Sequence, residues 1–124
     1  MQLFIYEPAY RRLQAQIHAI CPDVRPILMG DDCRIVLEGR ELTPEEFCPD
    51  IAWISTDVFF TPATRDFLGL LAKCPPLKWV QSAAAGVDLP IFQTIGKKTE
   101  IYTNSNGAAK SIAEFVFANV IALF

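Results

Sequence analysis

The chain has 124 residues, of which 52% are hydrophobic and 20% charged, and its 14 acidic and 11 basic residues leave a formal charge of -3. That composition suits one domain with a buried core and excludes a disordered chain. The basic residues are scattered as Arg11-Arg12, Lys73, Lys78 and Lys97-Lys98, so no cationic face exists to neutralise phosphates and nucleic acid is excluded as a partner.

Leu3 to Tyr6 reads as a first buried strand, and Pro8 suits the first turn of a helix running to about Ile20, with Leu13, Ile17 and Ile20 on one face. Cys21-Pro22-Asp23 ends it. Val24 to Met29 is a second strand, which Pro26 places at or near a sheet edge because proline cannot donate to a ladder. Gly30-Asp31-Asp32 turns the chain, Arg34 to Glu38 is a short extension, and Thr43-Pro44-Glu45-Glu46 reads as an N-capped helical turn leading to Phe47. Ile51 to Thr56 is a third strand, apolar enough to be buried on both faces. A helix opens at Thr61-Pro62 and runs through Leu71, where Cys74-Pro75-Pro76 stops it. Leu77 to Gln81 and Glu100 to Thr103 are the fourth and fifth strands, with a helical turn from Leu89 to Gln93 between them, and a last helix starts near Ala108. Strands alternating with helices predict an α/β fold: a flavodoxin-like open parallel sheet of about five strands in the order 2-1-3-4-5, with helices on both faces.

Cys21, Cys33, Cys48 and Cys74 lie far apart with no Cys-x-x-Cys spacing, so neither a zinc site nor a disulfide framework is expected. Reduced thiols and a start that lacks a basic n-region before Glu7-Pro8 point to the cytoplasm. The apolar run from Phe115 to Phe124 is too short for a bilayer, which takes roughly 20 such residues, and no membrane partner is expected.

Two stretches carry the chemistry. The first is Lys78-Trp79-Val80-Gln81-Ser82 through Ala85-Gly86-Val87-Asp88, and the second is Thr103-Asn104 through Gly107 to Ile112-Ala113-Glu114. Each is a strand followed by small residues and a glycine, so two strand ends point at one place. Three alanines and a glycine leave no bulk above the backbone, and an anion can approach the amides of Gly86, Val87 and Asp88 closely.

Taken together, in this order and after two strands, these stretches resemble the NAD(P)-dependent D-isomer-specific 2-hydroxyacid dehydrogenases. The resemblance implies that Ala85, Gly86, Val87 and Asp88 form the loop whose amides hold the carboxylate of a small 2-oxo or 2-hydroxy acid. It also places Phe59 on the loop overhanging that substrate, and Asn104 and Asn106 beside the NAD or NADP cleft. Alternatives stand beside each assignment. Phe59 and Phe60 either line an apolar pocket or cover the core, and the two asparagines serve equally as helix-capping and turn residues.

Hydride transfer in that family also needs an arginine, a histidine with an acidic partner and a Gly-x-Gly-x-x-Gly fingerprint, and this chain has none of them in a fitting place. The sole histidine, His18, lies in the first helix, far from either motif, and reads as a surface or packing residue. Glu114 reads as a polar contact at a domain junction, and Trp53 and Trp79 as core. Many family members carry threonine where this chain has Ala109. The expectation is therefore one substrate-binding domain over residues 1–124, cut before its cofactor domain, inactive alone and binding no cofactor by itself. The terminal helix is apolar nearly all round, so homo-oligomerisation through it is expected. The competing reading is a free-standing flavodoxin-like binding or signalling module. A receiver-type module needs clustered acidic residues after the first and third strands, where this chain offers only Glu7 and Asp57.

Overall fold

The computed structural model describes residues 1–105 and 107–123. A seven-stranded sheet is built from β1 (Gln2–Tyr6), β2 (Arg25–Met29), β3 (Ile35–Leu37), β4 (Arg40–Leu42), β5 (Ile51–Ile54), β6 (Leu77–Ser82) and β7 (Thr99–Asn104). Its order is β4-β3-β2-β1-β5-β6-β7. The pairs among β2, β1, β5, β6 and β7 are parallel, so these five strands stand in the expected order 2-1-3-4-5. The helices are α1 (Glu7–Ile20), α2 (Thr64–Lys73), α3 (Pro90–Lys97) and α4 (Ala109–Leu123), with a 3-10 helix over Thr56–Phe60.

The two additional strands correct the expected count of five. The extension after Arg34 forms β3, pairs antiparallel with β2, and turns back through Glu38 and Gly39 into β4. Both turn residues have positive φ, 52° and 81° respectively, as a two-residue hairpin that follows the sheet's twist requires. β2 is therefore an interior strand. Pro26 is tolerated there because Arg25 N–H donates to Met1 O, on the β1 side, so the next nitrogen faces β3, whose pairing starts only at Ile27. Thr43 to Glu46 is a turn without a helix. Glu46 Oε2 accepts the Thr43 N–H at 2.9 Å, which is half of a capping box.

Alternation along the strands divides the side chains into two layers. One face carries Phe4, Ala52, Ile54 and Val80, all fully buried under α2 and α3. Phe4 stacks on Phe67 of α2 at 4.1 Å between ring centroids and meets Phe47 edge-on at 4.6 Å. The other face carries Leu3, Ile51, Trp53, Trp79 and Ile101, and α1 covers only its β1 side. Trp53 is half-buried and Trp79 is 41% exposed, which corrects the expectation that both lie in the core and that the third parallel strand is buried on both faces. An apolar groove of about 360 Å³ runs between Ile17 and Ile20 of α1 and these tryptophans.

Asp50 clips the amino ends of three strands together. Its carboxylate accepts the Gln2 N–H at 2.8 Å and pairs with Lys78 Nζ at 3.0 Å, while its own N–H and C=O bond to Gln2 and Lys78. Every described residue of α4 is exposed. No described helix is long and apolar enough to cross a membrane.

Candidate functional site at the carboxyl ends of the sheet

α1 returns to β2 on one side of β1, and α2 carries the chain from β5 to β6 on the other, so the winding reverses between β1 and β5. In open parallel sheets ligands sit outside the strands' carboxyl ends near that reversal. Both sequence motifs begin there, since β6 ends at Ser82 and its neighbour β7 at Asn104.

The strand ends are tied by specific bonds. Ala83 N–H donates to Ile54 O at 2.8 Å, which stitches the loop after β6 to the end of β5. Ser82, fully buried, accepts the Ala84 N–H on its hydroxyl at 3.1 Å and starts the bend. Asn104 Nδ2 donates to Ala85 O at 2.9 Å, so the two motifs meet directly. Thr103 Oγ1 donates to Gln81 Oε1 at 2.7 Å and accepts the Trp79 indole N–H at 2.8 Å, which aligns β7 with β6 one layer below.

Ala85, Gly86, Val87 and Asp88 form an exposed loop. The N–H groups of Gly86, Val87 and Asp88 have no acceptor among the described residues. A Cβ placed on Gly86 would stand 3.2 Å from Asp88 Oδ2, so the Asp88 carboxylate leans over the glycine. The two features oppose one another for anion binding: the amides attract an anion and Asp88 repels it. The amides are fixed in the backbone, whereas Asp88 is an exposed side chain able to change rotamer.

Phe59 packs edge-on against Phe92 of α3, with centroids 6.2 Å apart, while the adjacent Phe60 is 94% exposed. Asn104 stands at the junction of the motifs, and Asn106 lies outside the described residues. His18 stays on α1, its Nε2 3.0 Å from the Tyr10 hydroxyl. Glu114 pairs within α4 with Lys110 at 3.7 Å.

Beside the loop the structure forms a cavity of about 400 Å³ whose lining includes Arg12, Trp53, Ser55, Asp57, Gln81 and Ala83. Arg12 Nη1 and Nη2 donate to the two Asp57 carboxylate oxygens at 3.0 and 2.8 Å. The hydrogen bonds and charge of Arg12 hold the Asp57 carboxyl below the usual range. Glu7, which follows β1, accepts from Arg11 on α1. Both acidic groups are thus engaged by arginines, and no group of three metal-ligating side chains occurs among the described residues.

Sequence reasoning missed Ser55 and the Arg12–Asp57 pair. The available signal was the polar run Ser55-Thr56-Asp57 directly after an apolar strand, at a carboxyl end where ligands gather. Comparison of the chain with protein-family models, with curated proteins and with solved structures finds no match.

Proposed function

We propose that the chain is the substrate-binding domain of an NAD(P)-dependent oxidoreductase that transfers a hydride between the nicotinamide and a 2-oxo or D-2-hydroxy acid. The observation that carries this reading is the contact between the two motifs, Asn104 Nδ2 on Ala85 O at 2.9 Å, at adjacent parallel strand ends. That bond holds the loop in a bend with the Gly86, Val87 and Asp88 amides free of acceptors among the described residues. Fixed amides can neutralise a carboxylate without reorganising, which is how preorganised donors orient a substrate for transfer. The nicotinamide supplies the hydride. The arginine and the histidine–acid pair of such chemistry belong to a cofactor domain, and in this reading the present domain binds and orients the acid.

Titration of the ¹⁵N-labelled chain with pyruvate or glyoxylate tests the reading. Saturable shifts are expected at the amides of Gly86, Val87 and Asp88, and Gly86→Val abolishes them by filling the space where the anion meets the backbone. Shifts confined to other surfaces, or shifts that survive Gly86→Val, refute the assignment. Turnover of NADH by this chain alone with any 2-oxo acid refutes the division of labour between domains.

A further inference from the structure

We infer that α4 of one copy docks on the bare sheet face of β5, β6 and β7 in a second copy, and that the exchange is reciprocal, so that each sheet is completed by its partner's helix in a twofold dimer. Parallel strands are apolar on both sides and are ordinarily covered on both. Here α1 reaches only the β1 side of one face. By register Trp53, Trp79 and Ile101 share that face, Trp79 being 41% and Ile101 57% exposed, and the apolar groove beside α1 opens onto it.

Dimensions and charge select the occupant. Neighbouring strands stand about 4.8 Å apart, so β5 to β7 spans roughly 10 Å, the width of one helix. Residues 115–123 of α4 carry no charge and extend about 13 Å as a helix, the length of the four-residue β5. Leu3, Ile17, Trp53 and Trp79 around the groove are uncharged as well.

Both surfaces are already satisfied for burial. The Trp79 indole N–H donates to Thr103 Oγ1 at 2.8 Å, and that hydroxyl donates to Gln81 Oε1 at 2.7 Å. On α4, Asn119 Nδ2 donates to Phe115 O at 2.7 Å, and Lys110 pairs with Glu114 near the start of the helix. Laying one surface on the other therefore leaves none of these polar groups without a partner, which is the condition for apolar docking to be favourable.

Area decides between helix on sheet and helix on helix. Every described residue of α4 is exposed, so the helix leaves its own sheet bare. Four of its side chains covered at about 80 Å² each, with an equal area of the sheet, bury roughly 640 Å² per contact. Two reciprocal contacts bury about 1,300 Å², within the range of specific interfaces, and close on themselves by twofold symmetry. One helix packed on another buries only about half as much, the size of a lattice contact. This dimer stands whether or not the Gly86 loop takes a carboxylate.

Sedimentation velocity and tryptophan emission across a concentration series test the proposal, Trp53 and Trp79 being the chain's two tryptophans. The wild type is expected to dimerise, with emission moving to shorter wavelength as Trp79 leaves water. Ile101→Lys places a charge on the sheet face at an exposed position, so the circular dichroism of the monomer stays unchanged. Both contacts of the dimer are altered, and affinity falls about 100-fold, as for Phe117→Glu. An equimolar mixture of the two variants keeps one unaltered contact per mixed dimer and associates about tenfold more tightly than either variant alone. An Ile101→Lys chain that dimerises like the wild type would mean that α4 packs on α4 and overturns the proposal. A wild type that stays monomeric overturns it too, and short-wavelength emission at every concentration would then show α4 lying on its own sheet. A mixture no tighter than its components overturns the reciprocal exchange.

Discussion

The terminal helix offers the sharpest quantitative test, through Phe117→Glu. Seven large apolar side chains of α4, namely Ile112, Phe115, Val116, Phe117, Val120, Ile121 and Leu123, are between 46% and 83% exposed. A partner surface covers about half of a helix's circumference, hence about four of these side chains. Full burial of such a side chain is worth about 1.5–3 kcal/mol, and the share still exposed here corresponds to ~1–2 kcal/mol each. Two copies together gain about 8–16 kcal/mol, against an association cost of about 4–15 kcal/mol. Toward the favourable end of that balance, a net gain of about 4–8 kcal/mol corresponds to dimerisation in the millimolar-to-micromolar range. Phe117→Glu removes one contribution per copy and places a carboxylate in the contact; in a symmetric dimer both copies change, so the loss is at least about 3 kcal/mol, or 100-fold in affinity. Sedimentation velocity across a concentration series reads this directly. A wild-type chain that remains monomeric throughout, or a Phe117→Glu variant that associates as strongly, refutes the reasoning.

The buried aromatic stack predicts a large stability effect: Phe67→Ala empties the space against Phe4 and should cost about 3–5 kcal/mol in urea unfolding, and a loss below about 1 kcal/mol would mean that the core closes over the gap. Gly39→Ala places a Cβ at φ 81° and should destabilise the chain by about 1 kcal/mol through the β3–β4 hairpin, whereas an unchanged midpoint would place the turn in another geometry. The Asp50 carboxyl is held below its usual range by the Gln2 N–H first and Lys78 second. Because its folded value is depressed, its contribution is present above the unfolded Asp value of about 3.9 and is lost as pH falls through the folded one. Asp50→Asn should therefore flatten the decline in stability below about pH 4, and an identical acid profile would show that the clip contributes nothing.

The parallel order was legible in the sequence because its signals are local. Ile51-Ala52-Trp53-Ile54 and Leu77 to Gln81 alternate with helices opened by proline and closed by Cys21-Pro22 and Cys74-Pro75-Pro76, and right-handed crossovers leave few ways to arrange such units. The two motifs announced themselves for the same reason: a run of alanines with a glycine after a strand has a local meaning. The β3–β4 hairpin went unread beyond a short extension, because each strand is only three residues long, too short for its period to register, and Arg40-Glu41-Leu42 is largely polar.

Tertiary structure alone decided which face each strand side chain met. Alternation puts Val80 and Trp79 on opposite faces, but only the placement of α1, α2 and α3 buries the first completely and leaves the second 41% exposed. It decided equally that Phe59 packs on Phe92 and that Asn104 reaches Ala85, since those partners lie 33 and 19 residues apart and no local propensity connects them. The unpaired Ser55 hydroxyl belongs to the same class. The sequence places it inside the third strand, whereas in the structure it stands at the N-cap of the 3-10 helix with its hydroxyl buried and making no capping bond. Local conformational preference follows from neighbouring residues along the chain, whereas burial and pairing follow from residues that only folding brings together.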